Sequence, residues 1–451
     1  MKSNRSLAIS TTIQSLPSAD VLTFLADEFP QDLPVEGTPE QSTKRNRVFT
    51  DRNTLLVMAL TATQEDKSLK NSVDLFYTIH QDYRLSLEQK NRELKAKAKK
   101  VSGKRSVGRP PKRTIDIPKS LQKDISLNTA GYSKARSRIP VELTQAFFEQ
   151  TRITNAQNEY SHWHGLRVFM GDGTYLQLQD TKAIRERYNY KWKGKEFQGY
   201  PQALLEVFTE RGTGQVYEFA LTDRHTSELP LCYAMLGRLP ERSLLLLDDL
   251  YNCYEILAKC ARLGVEIVVP GKRKRAYEVL KTLSHGDELV RIKQPNTNPN
   301  WQETKEAAKE LMLRRMVFKT YKEEEYILYT TILDERISKD EFWLLYLTRW
   351  DIEIEIREVK TIMGINILRS KTPEMLLKEL TVSLASYNLI RKLIYASIKG
   401  LLFPPKEDFI FKFYTASKNL LVDKKGRVYS RWSTGRKPAS RTDKETSPSN
   451  P

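Results

Sequence analysis

Cysteine and histidine are scarce in this chain, and long apolar runs are missing. Its 451 residues include 3 cysteines and 5 histidines. Cys232, Cys253 and Cys260 are too few and wrongly spaced for a zinc ribbon, and no histidines form an HxxxH pair. His162 and His164 alternate, but nothing nearby completes a tetrahedral ligand set, so both read as ordinary polar residues. A nucleophilic Cys with a His would need a surrounding motif that the sequence does not supply. No apolar stretch is long enough to cross a bilayer. The opening MKSNRSLAISTTIQ is polar throughout, which argues against a secretory leader and makes a cytoplasmic protein the expectation.

Positive charge, by contrast, is abundant. Lys and Arg number 74 against 56 Asp and Glu, a net charge of +18, which favours a polyanionic partner and nucleic acid above others. A hydrophobic content of 39% over this length is enough for a large core, and the length suggests roughly two to four domains.

Residues 1 to 50 read as an N-terminal arm with a short helical pattern and a Pro-, Gly- and Thr-rich connector. Asp51 to Arg84 has helical apolar spacing with a polar break, so two helices are expected. Asn128 to Phe148 reads as a turn, a basic helix and a proline-started helix. Such a pair could sit on DNA or simply close a small bundle. Between them, Arg92 to Arg113 is dense in Lys and Arg and is expected to be disordered and solvated. Its GRPPKR core resembles an AT-hook, with Arg109 placed for a narrow minor groove. Charge alone would also give non-specific backbone attraction. Residues 51 to 150 are therefore a helical, basic, DNA-binding candidate.

After Leu166 the pattern changes to strands. LRVFMGDGTYLQLQD runs into Asp172, and PQALLEVFTERGTGQVYEFALTD reads as a hairpin turning at Gly212 to Gly214, so three strands form an antiparallel meander. SLLLLDD is a strand buried on both faces that ends in carboxylates. NCYEILAKCARLG and EIVVPGK complete a βαβ succession, which predicts an α/β fold with a mixed sheet and helices on both sides. Residues 272 to 337 read as a β-rich insertion, and the apolar stretch near residues 377 to 403 as a closing helix pair. Residues 401 to 451 form a C-terminal segment with a basic tail expected to be disordered.

Ser338 to Gly364 organises the rest. Ser338 and Glu341 form a capping box, and Gly364 offers a stop, which predicts one long helix. Leu345, Ile352, Ile356, Val359 and Met363 make its apolar stripe, with Asp351, Glu355 and Glu358 on a solvated side. Between them Tyr346, Arg349, Glu353 and Lys360 share a narrow sector, since their spacings are near whole turns of ~3.6 residues. Alone, these four read as ion pairs on a wet helix. With Asp172 and Asp248 they form three carboxylates at element edges, a donor set suited to magnesium or manganese.

At this point a resemblance becomes specific. Tyr346, Arg349, Glu353 and Lys360 reproduce the Y-R-E-K signature of the IS4 family of insertion-sequence transposases, a branch of the DDE transposases. Asp172-Gly173-Thr174 matches the first acidic motif of that family, and Leu244 to Asp248, with Tyr251 and Tyr254 following, matches its second. The resemblance covers about residues 130 to 400. It departs from the family at Asp249, where many members carry Arg, and it leaves open whether Asp248 or Asp249 is the second ligand.

The resemblance implies a ribonuclease H-like core at residues 160 to 271 and 338 to 400. It implies that Asp172, Asp248 and Glu353 are catalytic and hold two Mg2+ or Mn2+ ions, while Tyr346, Arg349 and Lys360 grip double-stranded DNA. The implied reaction is cutting at terminal inverted repeats and joining to target DNA, cut-and-paste, by a homodimer in the synaptic complex. A metal-dependent nuclease on the same core and a non-enzymatic DNA-binding protein are the alternatives.

Overall fold

The computed structural model describes residues 48–101, 128–296 and 308–397 apart from short breaks, together with the paired residues 421–422 and 428–429. Arg109, the N-terminal arm before residue 48 and most of the C-terminal segment lie outside the described residues.

Two helices open the described chain, α1 (Asp51–Thr63) and α2 (Leu69–Val101), separated by the expected polar break. Thr50 starts α1 by accepting the Asn53 amide at 3.2 Å, satisfying a donor that lacks an intrahelical partner. The first part of the basic stretch, expected to be disordered, continues α2 as far as Val101. Its residues 92–101 are rich in Lys and Ala, which are strong helix formers. α3 (Thr129–Arg138) and α4 (Val141–Gln150) follow, the second started after Pro140.

The sheet begins with β1 (His162–Trp163) and β2 (Leu166–Gln177). A short helix, α5 (Lys182–Tyr188), and a two-residue hairpin, β3 (Lys191–Trp192) with β4 (Lys195–Glu196), lie between β2 and the expected hairpin. The sequence reading missed both, because polar segments this short carry little periodicity. The hairpin itself is β5 (Gln202–Glu210) and β6 (Val216–Asp223), followed by α6 (Glu228–Met235), β7 (Ser243–Leu246), α7 (Tyr254–Leu263) and β8 (Glu266–Pro270). α7 ends at Gly264 with φ 67°, a left-handed stop that favours glycine.

The strand order β6-β5-β2-β7-β8 has antiparallel β6/β5/β2 and parallel β2/β7/β8 pairs. This is a ribonuclease H-like arrangement, and every residue of β7 is buried, as four successive apolar side chains require. One face packs on α1, α3, α4 and the long helix α10 (Pro373–Ser397). The other packs on α6 and α7 through Phe169, Phe208, Leu245, Leu247 and Ile256.

Residues 272 to 337 do not stand apart from this sheet. β9 (Glu278–Ser284), β10 (Asp287–Lys293), β11 (Glu310–Lys319) and β12 (Glu325–Thr330) continue it, because β12 pairs with β8 at Thr330↔Val268 to Leu328↔Pro270. Of the closing helix pair, the described residues contain one helix, α10. Arg391 on this helix is buried and paired to Glu358 at 2.8 Å. No helix among the described residues is long and apolar enough to cross a membrane.

Candidate active site

The predicted long helix is a relay of helical forms. α8 (Lys339–Leu347) begins at the capping box, in which Ser338 and Glu341 cap one another. A 3-10 turn, Thr348–Trp350, leads into α9 (Asp351–Arg357), and a π turn, Glu358–Ile362, ends at Gly364 with φ 61°. Tightening before Glu353 and widening after it change which residues face inward. The stripe Leu345, Ile352, Val359 and Met363 is buried as expected. Glu355 and Glu358, expected on the solvated side, are buried as well. The turn Glu358–Ile362 is stabilised from outside the helix, since Arg391 Nη2 and the Tyr387 hydroxyl both donate to Glu358 Oε2, at 2.8 and 3.2 Å. π turns of this kind are frequent at functional sites.

β2 and β7 run in parallel up to the Met170↔Leu246 pair. There β7 ends, and Asp248 follows two residues later as the cap of a 3-10 turn, accepting the Leu250 amide at 2.8 Å. Asp172 lies where β2 loses this neighbour, so it sits mid-strand, not at the strand end the sequence suggested. The Asp172 carboxyl has a raised pKa. Burial is the main cause, offset by the Gly173 amide it accepts at 2.8 Å; Asp248 raises it further, Arg349 lowers it and Glu353 raises it. Asp248 and Glu353 therefore both act on Asp172, although 76 and 105 residues of chain separate the three in turn (248 − 172 and 353 − 248).

The other signature residues divide. Lys360 Nζ donates to Thr174 Oγ1 at 2.9 Å, and Thr174 shares a strand face with Asp172 because side chains alternate. Arg349 is buried, lies 4.4 Å from the ring centroid of exposed Trp350, and has its Nε without a hydrogen-bond partner among the described residues. Tyr346 is also buried and donates to the Leu247 carbonyl at 3.1 Å. The expected solvated line of DNA contacts is thus half internal: Tyr346 ties the helix to the strand end just before Asp248.

Sequence reasoning missed Glu206 and Glu228. Glu206 is fully buried on β5, and Tyr251 donates to its Oε1 at 2.8 Å and reaches Glu228 Oε2 at 3.2 Å. Burial pushes the Glu206 carboxyl well above the usual carboxylate range, opposed by the Tyr251 hydroxyl and reinforced by Glu228, Asp172 and Asp248. Glu228 is raised too, by burial first and then by Asp172. A charged residue inside the apolar run LLEVF was the available signal.

Five carboxyl groups thus gather in a protein of net charge +18. Oxygen donors held against mutual repulsion have the chemistry that divalent cations require. As the side chains stand, no group of three or more His, Cys, Asp or Glu among the described residues is arranged to hold a metal ion. In donor chemistry, though not in the present side-chain arrangement, the set suits such a cation.

Comparison with known proteins places this geometry. The family described as "Transposase DDE domain" matches residues 163–389, a span that holds Asp172, Asp248, Glu353 and Lys360. Over 264 residues the chain is 26% identical to the transposase InsG for insertion sequence element IS4 of Escherichia coli strain K12, covering 57% of this chain and 59% of that one. It is 26% identical over 134 residues to the putative transposase InsZ of the same strain, covering 29% of this chain and 45% of that one. The chain therefore spans less than two thirds of these relatives. Among solved structures it is similar to a piggyBac transposase synaptic complex with hairpin DNA, with a TM-score of 0.38, 11% identity, and coverage of 91% and 80% of the two chains.

Proposed function

The chain belongs to the family of transposase DDE domains, and from that premise we propose that it is a DNA transposase that cuts at terminal inverted repeats and joins the ends to target DNA. The observation that supports this reading is that Tyr346 bonds the Leu247 carbonyl beside Asp248 and Lys360 bonds Thr174 on the Asp172 face, so the helical segment carrying Glu353 lies against both strands. Acidic groups drawn from β2, the end of β7 and α9 share one electrostatic environment in an otherwise basic protein.

Asp172, Asp248 and Glu353 would hold the divalent cations, two Mg2+ or Mn2+ ions. Such ions, when bound, activate an attacking oxygen and stabilise a leaving one in phosphoryl transfer. The rest falls to the chain. Lys360, beside Thr174 on the Asp172 face, would hold a backbone phosphate next to the acidic cluster. Arg349, which opposes the rise in the Asp172 pKa, would favour the charged form of that carboxyl. Tyr346 would fix the strand end that presents Asp248. Arg109 and its Lys- and Arg-rich neighbours would add backbone attraction. Two element ends must meet, so the active species would be a homodimer on DNA in the cytoplasm, working by cut-and-paste.

The test uses a supercoiled plasmid carrying the DNA that flanks the coding frame, including any short inverted repeats. Incubation with the full chain and Mg2+ should give nicking at the repeat ends and, with a second plasmid, strand transfer. Glu353→Gln should reduce both to background. Nicking without transfer would mark a metal-dependent nuclease instead, and binding without cleavage by the wild type would leave only a DNA-binding protein.

A further inference from the structure

β5 and β2 pair antiparallel with Glu206 directly opposite Gly173, so the two positions share a sheet face. That is the face away from Asp172. Gly173 leaves the space beside it open, and a Cβ there would lie 2.5 Å from the carboxyl carbon and Oε1 of Glu228. The Glu228 carboxyl from the first turn of α6 therefore lies directly against the β2 backbone, one residue along from Asp172. Tyr251, three residues after Asp248, holds it from the other side.

Nothing nearby neutralises this group. Among the described residues Glu228, Glu206, Asp172 and Asp248 have no ion-pair partner, and the Tyr251 hydroxyl, with its single proton, lies 2.8 Å from Glu206 Oε1 and 3.2 Å from Glu228 Oε2. Glu206 is completely buried, and its Oε2 has no hydrogen-bond partner. Asp172 and Asp248 act on both Glu206 and Glu228. A buried, unpartnered oxygen and three further carboxyl groups held close with no ion-pair partner among the described residues form an arrangement that a bound cation would relieve.

We propose that Glu228 is a fourth carboxylate of the cation site, reaching the Asp172–Asp248 pair from the α6 side of the sheet while Glu353 reaches it from the α9 side. This rests on the function proposed above. Glu206 and Tyr251 are then positioning residues: the Tyr251 hydroxyl fixes Glu228, and Glu206 fixes Tyr251. A glycine at 173 is needed so that the Glu228 carboxyl can approach the strand.

The probe is Mn2+ itself, titrated calorimetrically into the full chain in the absence of DNA. Glu228→Gln keeps the size of the side chain and its acceptor for Tyr251 but removes the charge. It should weaken Mn2+ binding about tenfold or more, with a melting temperature close to that of the wild type. Tyr251→Phe should weaken it less, since the carboxylate remains but loses its tether. Glu335→Gln removes the same charge from an exposed pair with Lys281 and should leave the titration unchanged. Should Glu228→Gln be misfolded, Glu228→Asp supplies a charged variant one methylene shorter, whose affinity should fall between the two. Wild-type affinity in a folded Glu228→Gln, or in Glu228→Asp if that is the only folded variant, overturns the proposal. A loss in Glu353→Gln but not in Glu228→Gln would overturn it while leaving the proposed function standing. Absence of Mn2+ binding by the wild type would also overturn it, and the plasmid assay judges the proposed function separately.

Discussion

Asp287→Ala tests whether the sheet beyond β8 belongs to the core. Asp287, at the start of β10, accepts from Arg314 Nε at 2.8 Å and Nη2 at 2.6 Å, and both side chains are nearly inaccessible, at 4% and 2% exposure. The same guanidinium donates through Nη1 to the Asp334 carbonyl at 2.8 Å and stands 5.3 Å from the Phe342 ring on α8. The pair therefore links the strand extension to the beginning of the helical relay that carries Glu353. Removing the carboxylate strands a buried cation, and breaking one partner of a buried pair costs about 3–5 kcal/mol. Arg314 keeps its carbonyl and ring contacts, which puts the expectation near the lower end, about 3 kcal/mol. Replacing both residues, Asp287→Leu with Arg314→Met, should recover most of that, to within about 1–2 kcal/mol of wild type, since no charge is left unpaired. Urea unfolding followed by tryptophan fluorescence measures both, with Trp343 stacked on Phe318 at 5.0 Å as a local reporter. Were Asp287→Ala to cost less than about 1 kcal/mol, as an exposed pair does, the reasoning that seals this pair inside the sheet would be refuted.

Two more outcomes follow from the relay. Glu355 is buried and its carboxyl is pushed up to about 8, mainly by burial, with Arg391 opposing and Glu358 adding. The native state then holds a proton that the unfolded chain releases near 4.5, so the stabilisation is fully present below that pH and lost as pH rises through 8. The slope is about 1.4 kcal/mol per pH unit in that window. Glu355→Gln should flatten it, and parallel urea midpoints for variant and wild type from pH 5 to 8 would contradict the assignment. Tyr346→Phe removes the hydrogen bond to the Leu247 carbonyl. It should cost about 1–2 kcal/mol for one buried acceptor and slow nicking without changing DNA affinity in a filter-binding assay. A large affinity loss would mean that the hydroxyl does contact DNA.

Periodicity, capping signals and composition were enough to place β2, β5, β6, β7 and β8, the α7 crossover, and both ends of the segment from Ser338 to Gly364. These are local properties. Alternation or a buried run marks a strand, and Ser338 with Glu341 marks a helix start wherever it folds. Asp172, Asp248, Glu353 and Lys360 could be singled out because their spacings match a known signature. Nothing local brings Asp172 and the end of β7 together; that depends on β2 and β7 lying side by side in parallel, which pairing between distant segments decides.

The sequence also misjudged what depends on distant partners. Glu355 and Glu358 look solvated on an ideal helix, and Tyr346 and Arg349 look available. The helix is buried on that side as well as along its apolar stripe, and Arg391 and Tyr387, some thirty residues further on, supply the partners that let Glu358 remain buried. Glu206 and Glu228 were missed for the same reason. A lone glutamate in an apolar strand and another opening a helix acquire meaning only when antiparallel pairing sets Glu206 opposite Gly173 and brings the Glu228 carboxyl onto that glycine. Helix and strand preferences, the caps and the net positive charge are therefore fixed by residues and their near neighbours. Which carboxylates meet, and which of them lack a counter-charge, is fixed by packing between segments far apart in the chain.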